Sequence, residues 1–246
     1  MYRAKRRFDV TPEPAGPVPT RHAAKSHALK FVVHKHRATR LHYDLRMEWN
    51  GVLLSWAVPK GPSLDPSIKR LAMHTEDHPI DYDEFEGVIP AGEYGGGTMM
   101  IWDRGHWVPE DPDVDRGLRR GELKFRLEGE KLHGSFVLVR TGGRGGDRDE
   151  RSWLLIKHRD EAATGEDVAE TRPRSVASGR LLAEIAFEEG GDPVTAATGD
   201  PERAVRALMR ELAAKGGSRG TRAEGASARP RSRAKASGRA RQPVSG

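Results

Sequence analysis

A chain of 246 residues with 42 Lys/Arg, 36 Asp/Glu and no cysteine excludes disulfides, thiolate nucleophiles and cysteine-held zinc or iron–sulfur centres. Any metal must therefore sit on histidine and carboxylate. No apolar run approaches the roughly 18 residues needed to span a bilayer, and the basic start of the chain lacks an apolar signal core, so a soluble, cytoplasmic protein without membrane contact is expected.

In chain order, residues 3–21 hold four prolines among basic residues, which predicts an extended arm over 1–28 rather than a helix. From Leu29 onward the pattern becomes short segments of period-two alternation broken by Gly and Pro. These predict strands over 30–33, 41–49, 52–58, 71–74, 98–102, 123–127, 134–140 and 152–158. Asn50-Gly51, between two of them, is a two-residue hairpin signal. So many short strands predict a mainly β fold, a compact β-barrel or sandwich core with few helices over 29–160.

The run Gly92-Glu93-Tyr94-Gly95-Gly96-Gly97 lacks a Gly-Lys-Ser/Thr ending, and a strand rather than a helix follows, so it predicts a tight connection and not a phosphate loop. All five Trp and all four Tyr lie at or before Trp153, after which Phe187 is the only aromatic residue. The packed core is therefore expected to end near Asp160. Residues 161–215 read as a linker with two short helices. One covers 181–188; the other starts at Asp200 as N-cap with Pro201 at its first position and places Val205, Leu208, Met209 and Leu212 on one face. Residues 216–246 keep no hydrophobic pattern and have the composition of a disordered basic tail. Residues 201–246 carry 12 Lys/Arg against 3 Asp/Glu, while the first 200 carry 30 against 33. That surplus suits a polyanion such as nucleic acid through counterion release, and it equally suits a solubilising extension.

In Leu41-His42-Tyr43-Asp44-Leu45-Arg46-Met47-Glu48, apolar residues hold one parity and His, Asp, Arg and Glu the other. On a strand the two sets face opposite sides. His42 and Asp44 are spaced to share a metal ion with His36 as a third ligand, and nitrogen–oxygen donors without sulfur suit manganese, zinc or iron. Arg46, next along the face, is placed to hold a phosphate oxygen bidentately. An ordinary polar strand face accounts for the same pattern. Seven of the ten histidines fall within the first 78 positions, and in His74-Thr75-Glu76-Asp77-His78-Pro79 the proline places His78 on an extended segment entering a loop. A general acid or a phosphate-binding group fits there, as does a polar turn.

Several long motifs then stand in one order. They are Phe31-Val32-Val33-His34-Lys35-His36, Leu41 to Arg46, Ser55-Trp56-Ala57-Val58-Pro59-Lys60-Gly61-Pro62-Ser63, Lys69-Arg70-Leu71-Ala72, Glu76-Asp77-His78-Pro79, Asp81-Tyr82, Phe85-Glu86-Gly87-Val88-Ile89-Pro90 and Trp153-Leu154-Leu155-Ile156-Lys157. From about Arg6 to Asp160 the chain resembles the 3'-phosphoesterase domain of bacterial DNA ligase D. The resemblance implies a compact β-barrel with a crescent groove. It also implies manganese-dependent removal of a 3'-terminal ribonucleoside and then of the remaining 3'-phosphate, in end joining alongside the end-binding protein Ku.

Carried over by motif, His36, His42 and Asp44 correspond to the metal ligands. Arg46 and His78 correspond to the phosphate-binding and catalytic pair, supported by Tyr82, Lys60 and Arg70. Glu13 and Arg6 match an acidic and a basic substrate-binding position of the arm. The family reads Arg-Asp-Phe where this chain has Arg6-Arg7-Phe8, with Asp9 following. Ser175-Val176, Gly179-Arg180 and Ile185-Ala186 resemble the linker that follows this domain in ligase D, but no ligase or polymerase pattern follows them, so a stand-alone module is expected, nucleoid-associated and handing its product to a separate ligase or polymerase. The expected substrates are DNA or RNA-tipped DNA 3' ends, with Mn2+ or another divalent transition metal as cofactor. The rival reading is a non-catalytic DNA-end or Ku-binding adaptor.

Overall fold

Alternating strands bury one face only when the sheet closes on itself or meets another layer, and here it closes. The computed structural model describes residues 2–16, 28–141 and 150–217, with side chains of the last helix described as far as Glu211. Its strands are β1 (Lys30–Arg37), β2 (Leu41–Trp49), β3 (Val52–Val58), β4 (Lys69–His74), β5 (Gly87–Ile89), β6 (Gly97–Pro109), β7 (Glu122–Gly129), β8 (His133–Arg140) and β9 (Ser152–Lys157). All pair antiparallel in the order β1-β2-β3-β4-β9-β8-β7-β6, and β6 returns to β1, so eight strands form a closed barrel with β5 added beside the start of β6. At the Asn50-Gly51 hairpin both residues take positive φ, 49° and 81°, as a type I′ turn requires.

The barrel interior is the parity that the sequence marks as apolar. Phe31 and Val33 of β1, Tyr43, Leu45 and Met47 of β2, and Trp56 and Val58 of β3 join Trp102, Trp107, Phe125, Phe136 and Trp153 in one buried cluster. The ladder between β1 and β6 shifts register at Val33/His34. This bulge lets Met100 and Trp102 point inward before it and Trp107 after it.

The core does not end at Asp160. The C-terminal segment holds α2 (Val168–Thr171), α3 (Leu182–Glu188), α4 (Pro193–Ala197) and α5 (Glu202–Gly217). Val168, Leu182, Ile185, Ala186 and Ala196 all belong to the barrel's buried cluster. Aliphatic helix residues extend the core where aromatic residues have stopped. Asp200 does not cap α5 as expected. Its carboxylate turns back to accept the Ala183 N–H at the start of α3 (3.1 Å) and to pair with the buried Lys35 Nζ of β1 (3.3 Å). On α5 Leu208 is buried and Met209 is 61% exposed.

Four short elements that the pattern does not indicate are α1 (Val114–Arg120), β5, α2 and α4. The arm also departs from an extended course, because Tyr2–Lys5 form a 3₁₀ turn before the first proline. The expected tail from residue 218 on, residues 17–27 of the arm and the Leu212 side chain lie outside the described residues. Among the described residues no helix is long and apolar enough to cross a membrane.

Candidate metal and phosphate site

The polar parity of β1, β2 and β3 faces outward from the barrel, yet it is not solvent-exposed. The N-terminal arm, the 3₁₀ turn Ile80–Glu84 and the Gly92–Gly97 turn roof it over, and Tyr2, Leu53, Tyr82, Ile89 and Met99 form a second buried cluster there. His34, His36, Asp44 and Arg46 are consequently buried. They line or back a cavity of about 210 Å³ bounded by Arg6, Glu13, His36, His42, Asp44, Arg46, Glu76, His78, Tyr82 and Tyr94 among others.

Cross-strand pairing brings the first constellation together. His36 stands opposite His42, and His34 opposite Asp44. Asp44 Oδ2 lies 4.0 Å from His36 Nδ1 and 3.8 Å from His42 Nε2, and ligand atoms of the three residues lie within 4.8 Å of one another. The donor set fits a divalent metal on two observations. His36 Nδ1 faces the Asp44 carboxylate, and its buried Nε2 makes no hydrogen bond. His42 Nδ1 faces the Arg40 carbonyl at 3.1 Å, which fixes the proton there and turns the Nε2 lone pair towards Asp44.

Arg46 is held at every nitrogen. Nε donates to His34 Nδ1 (3.2 Å), Nη1 to Ser55 Oγ (3.1 Å) and Nη2 to Asp44 Oδ2 (3.0 Å), while the guanidinium lies over the Tyr82 ring at 4.7 Å. Nη1 and Nη2 each keep a second N–H beyond these contacts, and those are the groups an oxyanion entering the cavity would engage. Burial pushes the Asp44 carboxyl up, but Arg46, His42 and His36 outweigh it and hold it below the usual carboxylate value.

His78 sits on the segment that bridges back to Leu53 of β3. Its Nδ1 faces the Glu76 carbonyl (2.8 Å), leaving Nε2 as an acceptor 3.4 Å from Arg6 Nη2. Arg6 in turn donates to Glu13 Oε1 (2.7 Å), which also accepts the Tyr82 hydroxyl proton (2.9 Å). The arm residues thus close the site from above. Glu76 joins them, accepting from Arg6 Nη1 at 3.4 Å and from Lys5 Nζ at 2.9 Å. The motif around His78 contains this glutamate without marking it, and His34 was legible only as sharing parity with His36.

Two of the expected residues are not brought in. Lys60 is exposed in the turn after β3, and Arg70 shares parity with Ala72 and His74, whose partner Trp56 faces the barrel interior. Neither lines the cavity. In the arm, Arg7 pairs with Glu93 of the glycine-rich turn, and Asp9 is exposed and away from the cavity lining. A larger groove of about 890 Å³ adjoins the site through Ala38, Ile89 and Gly95. It sets Glu93, Glu189 and Asp192 against Arg37, the wrong balance for a polyanion.

Residues 34–140 match the family described as the DNA ligase D 3'-phosphoesterase domain. This chain carries a DNA ligase D 3'-phosphoesterase domain. A multifunctional non-homologous end joining protein LigD of Pseudomonas aeruginosa is 50% identical over 184 residues, which cover 74% of this chain and 21% of that protein. The protein of the same name from Mycolicibacterium smegmatis is 43% identical over 175 residues, 68% of this chain and 22% of its own. A Mycobacterium tuberculosis non-homologous end joining DNA repair protein LigD is 44% identical over 142 residues. The chain spans about a fifth of the length of the curated relatives it matches. In this phosphoesterase domain the three-residue cluster on β1 and β2 is the one group of His and carboxylates, among the described residues, that can hold a metal ion.

The site also sets a pH limit on stability. Burial pushes the imidazoles of His34 and His78 well below their ordinary value, with Arg46 adding to the effect at both, and burial takes His36 down to about 4 against the pull of Asp44. In the unfolded chain these histidines bind protons near pH 6.5, so their neutral burial costs nothing above about pH 6.5 and costs more as the pH falls towards about 4. With chelator present, stability from urea unfolding at pH 5 is expected to fall below that at pH 7.5, His36 accounting for about 2 kcal/mol and His34 and His78 acting in the same direction. A flat profile over that range would contradict the neutral, buried assignment.

Proposed function

We propose that this chain is a metal-dependent DNA 3'-end phosphoesterase. It removes a 3'-phosphate, and a 3'-terminal ribonucleoside that leaves one, to give the 3'-hydroxyl needed in double-strand break repair by end joining. The observation that carries the reading is the juxtaposition of the His36–His42–Asp44 cluster with Arg46 and the neutral His78 in one roofed cavity. His36, His42 and Asp44 hold the divalent ion, for which manganese suits the nitrogen–oxygen donors. The ion supplies Lewis-acid polarisation of a non-bridging phosphate oxygen.

The remaining steps belong to side chains of this chain. Arg46 and Arg6 offset the charge on the phosphoryl oxygens, Arg46 through the N–H groups that its present partners leave free. His78 Nε2, an acceptor at rest, takes the proton of the attacking water, and the departing 3'-oxygen takes its proton from solvent. The new P–O bond forms from water, the P–O3' bond breaks, and the products are inorganic phosphate and a 3'-hydroxyl. Tyr82, kept protonated by burial, and Glu13 hold Arg6 and the arm over the cavity. Lys60 and Arg70 have no part in this reading because neither reaches the cavity. A ligase or polymerase consumes the 3'-hydroxyl, and Ku is the proposed companion at the end.

Incubating labelled primer–template ending in one ribonucleotide with the chain and manganese is expected to yield first a 3'-phosphate and then a 3'-hydroxyl. A primer supplied with a 3'-phosphate enters at the second step. Conversion of neither end would sink the enzyme and leave the adaptor.

A further inference from the structure

The Gly92–Gly97 turn does more than connect β5 to β6. Gly92 and Gly95 take φ of 93° and 79°, values that L side chains rarely adopt, so the chain bends sharply on both sides of Tyr94. Of the two tyrosines lining the cavity, Tyr82 is buried and bonded to Glu13, whereas Tyr94 is 49% exposed. The turn is seated against the metal cluster, since a Cβ on Gly95 would stand 3.8 Å from His36 Cε1. It is also tied to the arm. Arg7 pairs with Glu93, Lys5 Nζ lies 4.7 Å from the Tyr94 ring centroid, and the Arg6 guanidinium lies 5.2 Å from it.

A half-exposed aromatic ring with cations over it, at the mouth of the cavity, offers a nucleobase the part of its face that they leave open. We infer that Tyr94 is the stacking platform for the base of the 3'-terminal nucleotide whose phosphate the cavity holds. This assignment rests on the phosphoesterase reading and adds to it a positioning residue outside the metal cluster. Every base presents a π face, so the platform holds the end nucleotide without selecting among sequences. The strain at Gly92 and Gly95 serves to present the ring, and the Arg7–Glu93 pair keeps the turn registered to the arm.

The test uses the full chain and a primer–template whose 3'-terminal base is 2-aminopurine bearing a 3'-phosphate, whose fluorescence is quenched on stacking. In chelator, at protein concentrations that saturate the anisotropy of a separate 5' label, the wild-type chain and Tyr94→Trp are expected to quench it. Tyr94→Ala and Tyr94→Leu are not. With manganese, Tyr94→Ala is expected to raise KM for the 3'-phosphate about tenfold, the loss falling on KM more than on kcat, and Tyr94→Trp is expected to restore it. Equal quenching by Tyr94→Ala, or none by the wild type at saturation, overturns the assignment. The quenching needs no turnover. A chain that quenches without converting the phosphate contradicts the phosphoesterase reading while supporting the platform.

Discussion

His42→Ala is expected to lower 3'-phosphate turnover by about three orders of magnitude or more, because it removes one of three ligands to an ion that supplies several kcal/mol of charge stabilisation. The same change is expected to cost little stability. The His42 side chain is 25% exposed, and the hydrogen bond found for it is to the Arg40 carbonyl, so its loss should stay within about 1 kcal/mol. Activity loss with an unmoved urea midpoint separates a ligand from a packing residue. His36 does not allow that separation, since it is buried on β1 and its removal also opens a cavity. A His42→Ala chain that kept wild-type turnover would remove the metal assignment.

Arg46→Ala is expected to have the opposite signature, losing fold and function together. Arg46 is 3% exposed and supplies the nearest positive charge to the buried Asp44, together with contacts to His34, Ser55 and Tyr82. Deleting one partner of a buried ion pair leaves the other uncompensated, at a cost of about 3–5 kcal/mol. Arg46→Lys keeps the charge and loses the fork, so it should fold better than the alanine variant yet turn over about 100-fold more slowly than wild type. Urea unfolding beside steady-state rates checks both, and a wild-type unfolding midpoint for Arg46→Ala would contradict the network.

What the sequence made legible follows from local periodicity. Alternation on β2 separates Tyr43, Leu45 and Met47 from His42, Asp44 and Arg46, and the structure sends the first set inside the barrel and the second outside. Asn50-Gly51 fixes the pairing of β2 with β3, which sets Arg46 opposite Ser55. Closure of β6 on β1 is a long-range pairing that no local signal carries.

The roof over the site was equally hidden. Nothing in the spacing of Arg6, Glu13 and Tyr82 indicates that the arm and the distant Ile80–Glu84 turn meet above Arg46. The resemblance supplied those residues, and it also supplied Lys60 and Arg70, which β-strand parity and turn position carry elsewhere. Asp200 shows how a sound local signal loses to tertiary context. Its place before Pro201 suits an N-cap, but a buried Lys35 on the strand between the His34 and His36 positions needs a counter-charge and takes it.

In the proposed function, 3'-phosphate removal depends on an ion held by the His36–His42–Asp44 cluster. The direct measurement strips the chain with chelator, removes the chelator and adds manganese back in steps while following release of inorganic phosphate from a 3'-phosphate primer–template. Turnover is expected to rise from near zero and to level off at one manganese per chain, and to stay flat for His42→Ala. Full turnover in the stripped chain, or equal recovery by His42→Ala, would contradict the account.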